Sequence, residues 1–256
     1  MVNVLVLRAA GSNCDFETKH AFDRVGAHAE LIHINRLLDN SVQLSEYQIM
    51  AIPGGFTYGD DISAGKVLAN QLKFKLAPQL LEFHEQGKLV LGICNGFQVL
   101  VKAGLLPQVD LDAEQDVTLT YNDSGKFEDR WVSLKLNESN CVFTQGLQKQ
   151  VYFPVAHAEG KFVTRNSQVL EQLKQNNQIV FQYTTQNGDD PEYPDNPNGS
   201  INDIAGICDA SGRILGLMPH PERHIDPTNH PQWTRNGLAE QGDGFALFQN
   251  AVSYFN

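Results

Sequence analysis

Cys94 is the residue of this chain whose surroundings point most directly to chemistry. Leu89–Ile93 is apolar and predicts a buried strand, and the apolar spacing after Cys94 changes to that of a helix. Gly92 and Gly96 stand two positions before and after the cysteine, which allows a strand to turn sharply into a helix. A helix N-terminus favours the thiolate, the form that attacks carbonyl carbons. The alternative is a small buried cysteine that packs like alanine.

His220 and Glu222 supply the other groups that acyl transfer needs. Pro221 disfavours the helical conformation for the residue before it, so the segment is predicted to be extended, with both side chains on one face. A thiol, an imidazole that accepts its proton and a carboxylate that orients the imidazole form a catalytic triad. The reaction also needs two N–H donors for an oxyanion, and the backbone of Asn95 and the turn Gly54–Gly55 are the candidates.

The remaining histidines and cysteines predict no metal site. His220 and His224 are four residues apart, but Pro221 argues against a shared helix and there is no third ligand. The chain has four cysteines, which are Cys14, Cys94, Cys141 and Cys208. They lie far apart without a Cys-x-x-Cys pair, which is typical of a reducing cytoplasm. Cys14 has no base beside it in the sequence and is interpreted as structural.

Length and charge limit the class of protein. With 256 residues the chain predicts a single domain, 1–256, with a sizeable core. A formal net charge of −11 argues against a nucleic-acid partner, and the apolar start of the chain is too short to span a membrane. We therefore expect a cytoplasmic protein whose partners are small molecules or other proteins.

The order of the elements predicts the fold class. Strands and helices alternate over the first hundred residues, which favours a mainly parallel sheet with right-handed crossovers. After Pro107, short strand candidates such as Val151–Phe153 indicate an antiparallel extension. The prediction is an α/β fold, a three-layer open sheet that is mainly parallel with an antiparallel extension and has helices on both faces.

Local signals add predictions for loops and helix ends. Ser12, Asn13 and Asp15 are candidate N-caps for the first helix, and Asp243 is the candidate cap of the last one. Residues 62–86 have a helical pattern that breaks at Pro78. Prolines and turn formers in 189–200 predict an exposed loop.

Five motifs of the chain together resemble a known enzyme family. They are Pro53–Asp60, Gly92–Gln98, His157–Phe162, Asn196–Ser200 and Gly216–Arg223. These motifs are similar to those of class I glutamine amidotransferases, and within that class to the glutaminase subunits of phosphoribosylformylglycinamidine synthases. The similarity extends from Val2 to the final helix. The chain departs from it at Arg8–Ala10, where many relatives have a proline, and in Asp226–Asp243, which is longer than in compact members.

The resemblance implies a role for each matching residue of the reaction centre. Cys94 corresponds to the nucleophile, His220 to the general base and acid, and Glu222 to the group that orients it. Gly55 and Asn95 fall at the oxyanion-hole positions.

Further matching positions concern the substrate. The resemblance implies that three residues line the glutamine pocket: Gly54, Phe56 and Gln98. His157 and Glu159 belong to a motif near the active site or the partner interface, but a structural hydrogen-bonded pair is an equal alternative.

The resemblance also implies a reaction and partners. Glutamine would be hydrolysed to glutamate through a thioester on Cys94, and ammonia would pass to a synthetase subunit that uses ATP to convert formylglycinamide ribonucleotide to the amidine. The chain contains no Gly-x-x-x-x-Gly-Lys-Ser/Thr motif, so ATP and Mg are expected on the synthetase and no cofactor on this chain. A small accessory subunit is a further candidate partner.

Three other functions remain open on the residues alone. A free-standing Cys-His-Glu hydrolase or peptidase would have the same triad and would need no partner. An amidotransferase of another pathway would differ only in its acceptor. A regulatory subunit with a silent pocket is disfavoured by the intact Cys94, His220 and Glu222 set.

Overall fold

The apolar segments of the sequence form a nine-stranded sheet and a separate two-stranded sheet. The computed structural model describes all 256 residues, Met1 to Asn256. The strands are β1 (Asn3–Arg8), β2 (His28–His33), β3 (Ile49–Ile52), β4 (Leu89–Ile93), β5 (Val117–Thr120), β6 (Glu128–Leu136), β7 (Gln150–His157), β8 (Lys161–Thr164), β9 (Ile179–Thr184), β10 (Ile204–Cys208) and β11 (Ile214–Leu217). The helices are α1 (Asp15–Arg24), α2 (Ile34–Leu38), α3 (Lys66–Lys75), α4 (Ala77–Glu85), α5 (Asn95–Ala103), α6 (Ser167–Gln175), α7 (Trp233–Asn236) and α8 (Phe245–Ser253). None of the helices has both the length and the apolar character needed to cross a bilayer.

The large sheet has a parallel half and an antiparallel extension, which confirms the predicted fold class. Its strand order is β2-β1-β3-β4-β11-β10-β9-β6-β7, and β5 pairs with β8 in the small sheet. The pairs from β2 to β11 are parallel, and those from β11 to β7 are antiparallel. The last two strands, β10 and β11, form an antiparallel hairpin.

The carboxyl ends of four adjacent parallel strands bring distant loops together. The chain moves from β1 to β2 in one direction across the sheet and from β3 to β4 in the other, so right-handed crossovers place α1 and α3–α4 on opposite faces. A reversal of strand order of this kind opens a crevice at the carboxyl edge of the sheet. The loops that follow β1, β3, β4 and β11 contain Cys14, Gly54, Cys94 and His220. The fold therefore concentrates the sequence motifs at one edge.

Strand β7 is longer than the sequence pattern predicted. It extends over eight residues to His157, whereas the expected strand ended at Phe153, just before Pro154. Proline cannot donate to a sheet hydrogen bond and is tolerated on edge strands. Because β7 pairs only with β6 and lies at the edge of the sheet, Pro154 is accommodated within it.

The predicted exposed loop at 189–200 is partly wrong. Its second half is buried, with Asn198 inaccessible and Ser200 4% exposed. The Asn198 side-chain amide donates to the carbonyl oxygen of Gly160 at 2.9 Å and to the Tyr183 hydroxyl at 3.0 Å. The turn-forming residues do form turns, as predicted. Their side chains are buried because they make hydrogen bonds with polar groups of the turn at Gly160.

Two predicted helix caps are also wrong. Helix α1 follows Cys14 without a side-chain cap, and the Ser12 hydroxyl instead accepts from the Ala9 N–H at 3.0 Å. Gly244, and not Asp243, is the N-cap of α8. The Asp243 carboxylate instead accepts from the Tyr152 N–H at 2.8 Å, which connects this loop to β7.

The helical region predicted over 62–86, with a break at Pro78, forms two helices, α3 and α4. They are separated at Leu76, two residues before the predicted break. Pro78 lies in the first turn of α4, where a missing N–H leaves no helical hydrogen bond unmade.

Candidate active site

Cys94 lies in a strained turn between β4 and α5. Its φ of 51° and ψ of −105° are unusual for a residue with a side chain, and such backbone conformations cost about 1–3 kcal/mol. A Cβ on Gly96 would lie 1.9 Å from the Ile52 carbonyl oxygen, and one on Gly92 would lie 2.7 Å from that of Gly96. The two glycines therefore permit the close packing that holds the turn, as the sequence predicted.

The Cys94 thiol is enclosed and weakly partnered. The residue is 5% exposed, and its sulfur lies 3.7 Å from the carbonyl oxygen of Ala156 on β7. No shorter hydrogen bond in the protein involves this sulfur, so its lone pairs are available to a substrate.

His220 and Glu222 form a buried hydrogen-bonded pair next to this turn. His220 Nδ1 and Glu222 Oε1 are 2.6 Å apart, and the two residues are 1% and 4% exposed. The backbone differs from the prediction, because Pro221 begins a 3₁₀ turn instead of an extended segment. His220 itself is non-helical, and its N–H donates to the Pro154 carbonyl oxygen at 2.8 Å. The predicted contact is therefore present on a different local geometry.

The surroundings of His220 favour its protonated form. Burial alone would lower the pKa of the imidazole, but the charge of Glu222 and the nearby sulfurs of Cys94 and Cys14 outweigh it and raise this pKa well above its ordinary value. An imidazolium next to a cysteine favours a thiolate–imidazolium pair. His220 Nε2 has no hydrogen-bond partner in the protein and is free to exchange a proton with the reacting groups.

The two predicted oxyanion donors lie in turns that leave their N–H groups free. Asn95 is the first residue of α5, where a backbone N–H has no helical acceptor. Gly55 has a φ of +146°, and a Cβ there would lie 2.7 Å from the Gly11 carbonyl oxygen. The turn is fixed from both sides, since the Gly54 carbonyl accepts from Cys14 and Phe56 donates to Gly11.

A buried polar network supports the helix behind the cysteine. The Asn95 side chain accepts from the Thr57 hydroxyl at 2.7 Å and donates to Gln98 Oε1 at 3.1 Å. Gln98 Nε2 donates to the Glu159 carbonyl oxygen at 2.6 Å. Gln98 therefore lies one helical turn from Cys94, with its amide held by the protein.

The other two predicted pocket residues lie in different environments. Gly54 packs directly against the imidazole, because a Cβ there would lie 2.7 Å from His220 Cε1. Phe56 is 44% exposed, and its ring centroid is 6.3 Å from that of Phe127. Gly54 thus provides space for His220, while Phe56 lies at the protein surface.

His157 belongs to the wall of the site formed by β7, whereas Glu159 contacts a loop. His157 is 2% exposed, its Nδ1 lies 3.2 Å from Asn122 Oδ1, and its Nε2 has no partner. Burial, together with the charge of His220, lowers the pKa of His157 to about 4. Glu159 Oε2 accepts from the Ala64 N–H at 3.4 Å. The two side chains do not pair with each other, so the structural-pair alternative is wrong.

Sequence reasoning missed the position of Cys14. Its sulfur, with His220 and Glu222, forms a buried cluster whose ligand atoms lie within 4.8 Å of one another. Arg223 Nη2 donates to this sulfur at 3.2 Å, and the guanidinium is also held by Glu17 through two contacts of 3.0 Å. The contact joins residues that are 206 positions or more apart in the chain, which no local pattern reveals.

Comparisons with known proteins agree with this architecture. A family model described as a CobB/CobQ-like glutamine amidotransferase domain matches residues 1–255. The chain is 51% identical over 255 residues to the phosphoribosylformylglycinamidine synthase subunit PurQ of Dehalococcoides mccartyi, covering 99% of this chain and 97% of that protein. It is 43% identical over 267 residues to the PurQ subunit of Archaeoglobus fulgidus, with the same coverage. A chain in the structure of PurLQS from Thermotoga maritima matches with a TM-score of 0.76 and 31% identity over 100% of this chain and 99% of that one.

The chain therefore belongs to the CobB/CobQ-like glutamine amidotransferase family. Within that family it groups with the PurQ subunits of phosphoribosylformylglycinamidine synthase, which it matches over nearly its whole length. The resemblance drawn from the five motifs is confirmed.

Proposed function

We propose that this chain is the glutaminase subunit of a phosphoribosylformylglycinamidine synthase and that Cys94, His220 and Glu222 are its catalytic triad. The chain is a glutamine amidotransferase of purine biosynthesis. The main support for the triad is the strained Cys94 turn beside the His220–Glu222 pair, whose hydrogen bond is 2.6 Å long. Identity to PurQ subunits over the whole chain supports glutamine as the substrate.

The mechanism follows from the free atoms of the site. Cys94 transfers its proton to His220 Nε2, and the thiolate attacks the side-chain carbonyl carbon of glutamine. The backbone N–H groups of Gly55 and Asn95 stabilise the oxyanion, a contribution worth about 10²–10³ in rate per donor. Glu222 holds Nδ1 and thereby directs Nε2 towards the reacting atoms.

The two product-releasing steps use the same proton carrier. When the tetrahedral intermediate collapses, the C–N bond breaks and ammonia leaves with the proton from His220 Nε2, while the acyl group remains on Cys94 as a thioester. Nε2 then removes a proton from water, whose oxygen attacks the thioester. Collapse of the second intermediate breaks the C–S bond and releases glutamate, and the proton on Nε2 returns to the Cys94 sulfur.

Two of the pocket predictions gain support from the structure as parts of the binding site. Gln98 is fixed by Asn95 and the Glu159 carbonyl one turn from the nucleophile, so it forms a rigid wall of the glutamine pocket. Phe56 is next to Gly55 in sequence and exposed, which suits a residue at the entrance. Gly54 packs against His220, which supports a role in positioning the imidazole and not in contacting glutamine.

The acceptor reaction belongs to partner subunits. The chain has no phosphate-binding glycine motif and carries a net charge of −11, so ATP and Mg are assigned to the synthetase subunit. The PurLQS assembly of Thermotoga maritima supports a synthetase partner and a small accessory subunit for this chain. We place the enzyme in the cytoplasm, since its four cysteines are free thiols.

Covalent labelling tests the triad and the substrate together. The full chain, alone and with its synthetase, is incubated with a glutamine-shaped electrophile, and the adduct is located by intact mass and peptide mapping. We expect one adduct, on Cys94, that excess glutamine suppresses and that Cys94→Ser abolishes. Cys141→Ser is the matched control, since it removes a buried thiol elsewhere and should label normally.

Other outcomes would contradict the proposal. Labelling spread over several cysteines, or a Cys94 adduct insensitive to glutamine, would mean that the pocket does not recognise glutamine. Efficient peptide hydrolysis by the chain without a synthetase would favour the free-standing hydrolase instead.

A further inference from the structure

The second thiol beside the imidazole has no part in the mechanism above. Cys14 is 2% exposed, and its sulfur belongs to the cluster with His220 and Glu222, while Cys94 does not. The sulfur lies on the side of the ring that faces Gly54, because a Cβ on Gly54 would lie 3.0 Å from Cys14 Sγ and 3.4 Å from His220 Nδ1. Since Nδ1 is the ring nitrogen that contacts Glu222, we assign Nδ1 as the imidazole ligand of this cluster.

We propose that Cys14, His220 Nδ1 and Glu222 form a site for a thiophilic divalent cation such as Zn²⁺ and that occupancy of this site inhibits the glutaminase. A thiolate, an imidazole and a carboxylate are the donors that zinc takes in proteins. Because the three ligand atoms lie within 4.8 Å of one another, some point lies within about 2.8 Å of all three, close to the zinc–ligand distances of about 2.0–2.3 Å. Small side-chain rotations close the difference.

Free ligand positions give independent support for the site. Glu222 Oε2 is buried and has no hydrogen-bond partner, although Oε1 is occupied by His220. A buried carboxylate oxygen without a partner is costly and is satisfied by a cation. Arg223 Nη2 donates to the Cys14 sulfur, and the pairing of Arg223 with Glu17 offsets the positive charge that would repel a metal ion.

A metal ion at this site changes which nitrogen of His220 carries a proton, and this change inhibits the glutaminase. Binding replaces the proton of the Cys14 thiol, which is released to solvent. The proton that Nδ1 donates to Glu222 moves to Nε2, the proton of Cys94 stays on its sulfur, and the metal ion takes the lone pair that is freed on Nδ1. A neutral imidazole bound to a metal through Nδ1 carries its proton on Nε2. Nε2 is then a donor only and does not accept the proton of Cys94. The ion therefore blocks the step that generates the nucleophile without touching the nucleophile itself.

Metal titration of the full chain tests the site without reference to activity. Zn²⁺ affinity is measured by competition with a chromogenic chelator, and Co²⁺ reports a sulfur ligand through its thiolate charge-transfer band in the near ultraviolet. We expect one site in the wild type that persists in Cys94→Ser, together with the cobalt band. Cys14→Ser should lose the band and at least about 100-fold of the affinity, more than the loss typical of an outer-shell partner.

Two further variants make the test decisive. Glu222→Gln should also weaken Zn²⁺ binding while keeping the cobalt–thiolate band, and the buried Cys141→Ser should bind like the wild type. Binding that is lost in Cys94→Ser and kept in Cys14→Ser would overturn the proposal, because the ion would then be held by the nucleophile. Absence of a Zn²⁺ site in the wild type would overturn it as well.

Inhibition is measured separately on the glutaminase reaction of the complex with its synthetase, and this part rests on the proposed function. We expect Zn²⁺ to inhibit the wild type at concentrations at which Cys14→Ser retains its own metal-free rate. Equal inhibition of both would overturn the inhibitory role. A complex that releases no ammonia even without metal would instead refute the proposed function and leave the binding result standing.

Discussion

Two turns of this molecule place a thiol at the N-terminus of a helix, beside the same imidazole. Cys94 connects β4 to α5 with a φ of 51° and a ψ of −105°, whereas Cys14 precedes α1 with a φ of −98° and a ψ of 13°. The first turn is strained and is held by glycines on both sides. The second is relaxed and has Ser12 and Phe16 at the corresponding positions.

The two sulfurs also differ in their partners. Cys14 Sγ contacts Arg223 at 3.2 Å and Asn13 Oδ1 at 3.2 Å, while Cys94 Sγ has only the carbonyl of Ala156 at 3.7 Å. A helix N-terminus and a nearby histidine are therefore shared by a proposed nucleophile and by a thiol that the proposed mechanism does not use. What separates them is backbone strain, which aims the side chain, and the absence of competing hydrogen bonds.

The largest expected difference is in catalysis. Cys94→Ser should lower the glutaminase rate of the complex by about 10⁴-fold or more, because a hydroxyl in this place is a poor nucleophile. Cys14→Ser should cost about tenfold at most. Steady-state ammonia release measures both, with Cys141→Ser as control. Similar losses in the two variants would show that both thiols take part in the reaction.

A second difference is expected in the tolerance of the two turns to added bulk. Gly96→Ala should lower the free energy of unfolding by about 2–3 kcal/mol, because its Cβ would overlap the Ile52 carbonyl oxygen. Phe16 is two residues after Cys14 and 65% exposed, so Phe16→Ala should change stability by about 0.5 kcal/mol or less. Urea unfolding of both variants measures the two changes in stability. An unchanged stability of Gly96→Ala would mean that close packing at Gly96 does not hold the Cys94 turn.

The smallest expected effect is a pH dependence that originates in the shared imidazole. Since the pKa of His220 is raised in the folded protein, the native state holds more protons than the unfolded state above about pH 6.5. Its contribution to stability is complete below that pH and is lost as the pH rises through the folded pKa, by at most about 1.4 kcal/mol per pH unit.

Glu222→Gln removes the charge that raises this pKa, so the decline of stability between neutral and alkaline pH should become shallower than in the wild type. Urea unfolding over that range measures the two slopes. Identical slopes would mean that Glu222 does not hold the proton on His220. Arg223→Gln is the control, and it should keep more of the wild-type slope because Arg223 contacts Cys14 and not the imidazole nitrogen.

Local patterns predicted the Cys94 turn and the His220–Glu222 contact, because each depends on residues at most two positions away. The parallel half of the sheet followed from alternating strands and helices for the same reason. The Cys14–His220 contact was beyond reach, since it depends on the order of strands β1, β3, β4 and β11 in the sheet.

Two other errors have the same tertiary origin. The predicted strand ended at Phe153, whereas β7 continues through Pro154 because it lies at the sheet edge, and the predicted exposed loop contains the buried Asn198, whose amide is bound to the Gly160 turn. In both cases an intrinsic preference was correct, but a neighbour distant in sequence decided the outcome.

The place of β11 in the sheet has a consequence for synthesis of the chain. β11 covers the side of β4 that would otherwise be an open edge, but its first residue, Ile214, follows the end of β4 at Ile93 by 121 positions. At about 5–20 residues per second, translation leaves that edge open for roughly ten seconds. β4 is fully apolar and would pair with other chains in that interval. The strand that precedes the nucleophile is therefore a segment of the nascent chain that a chaperone would protect.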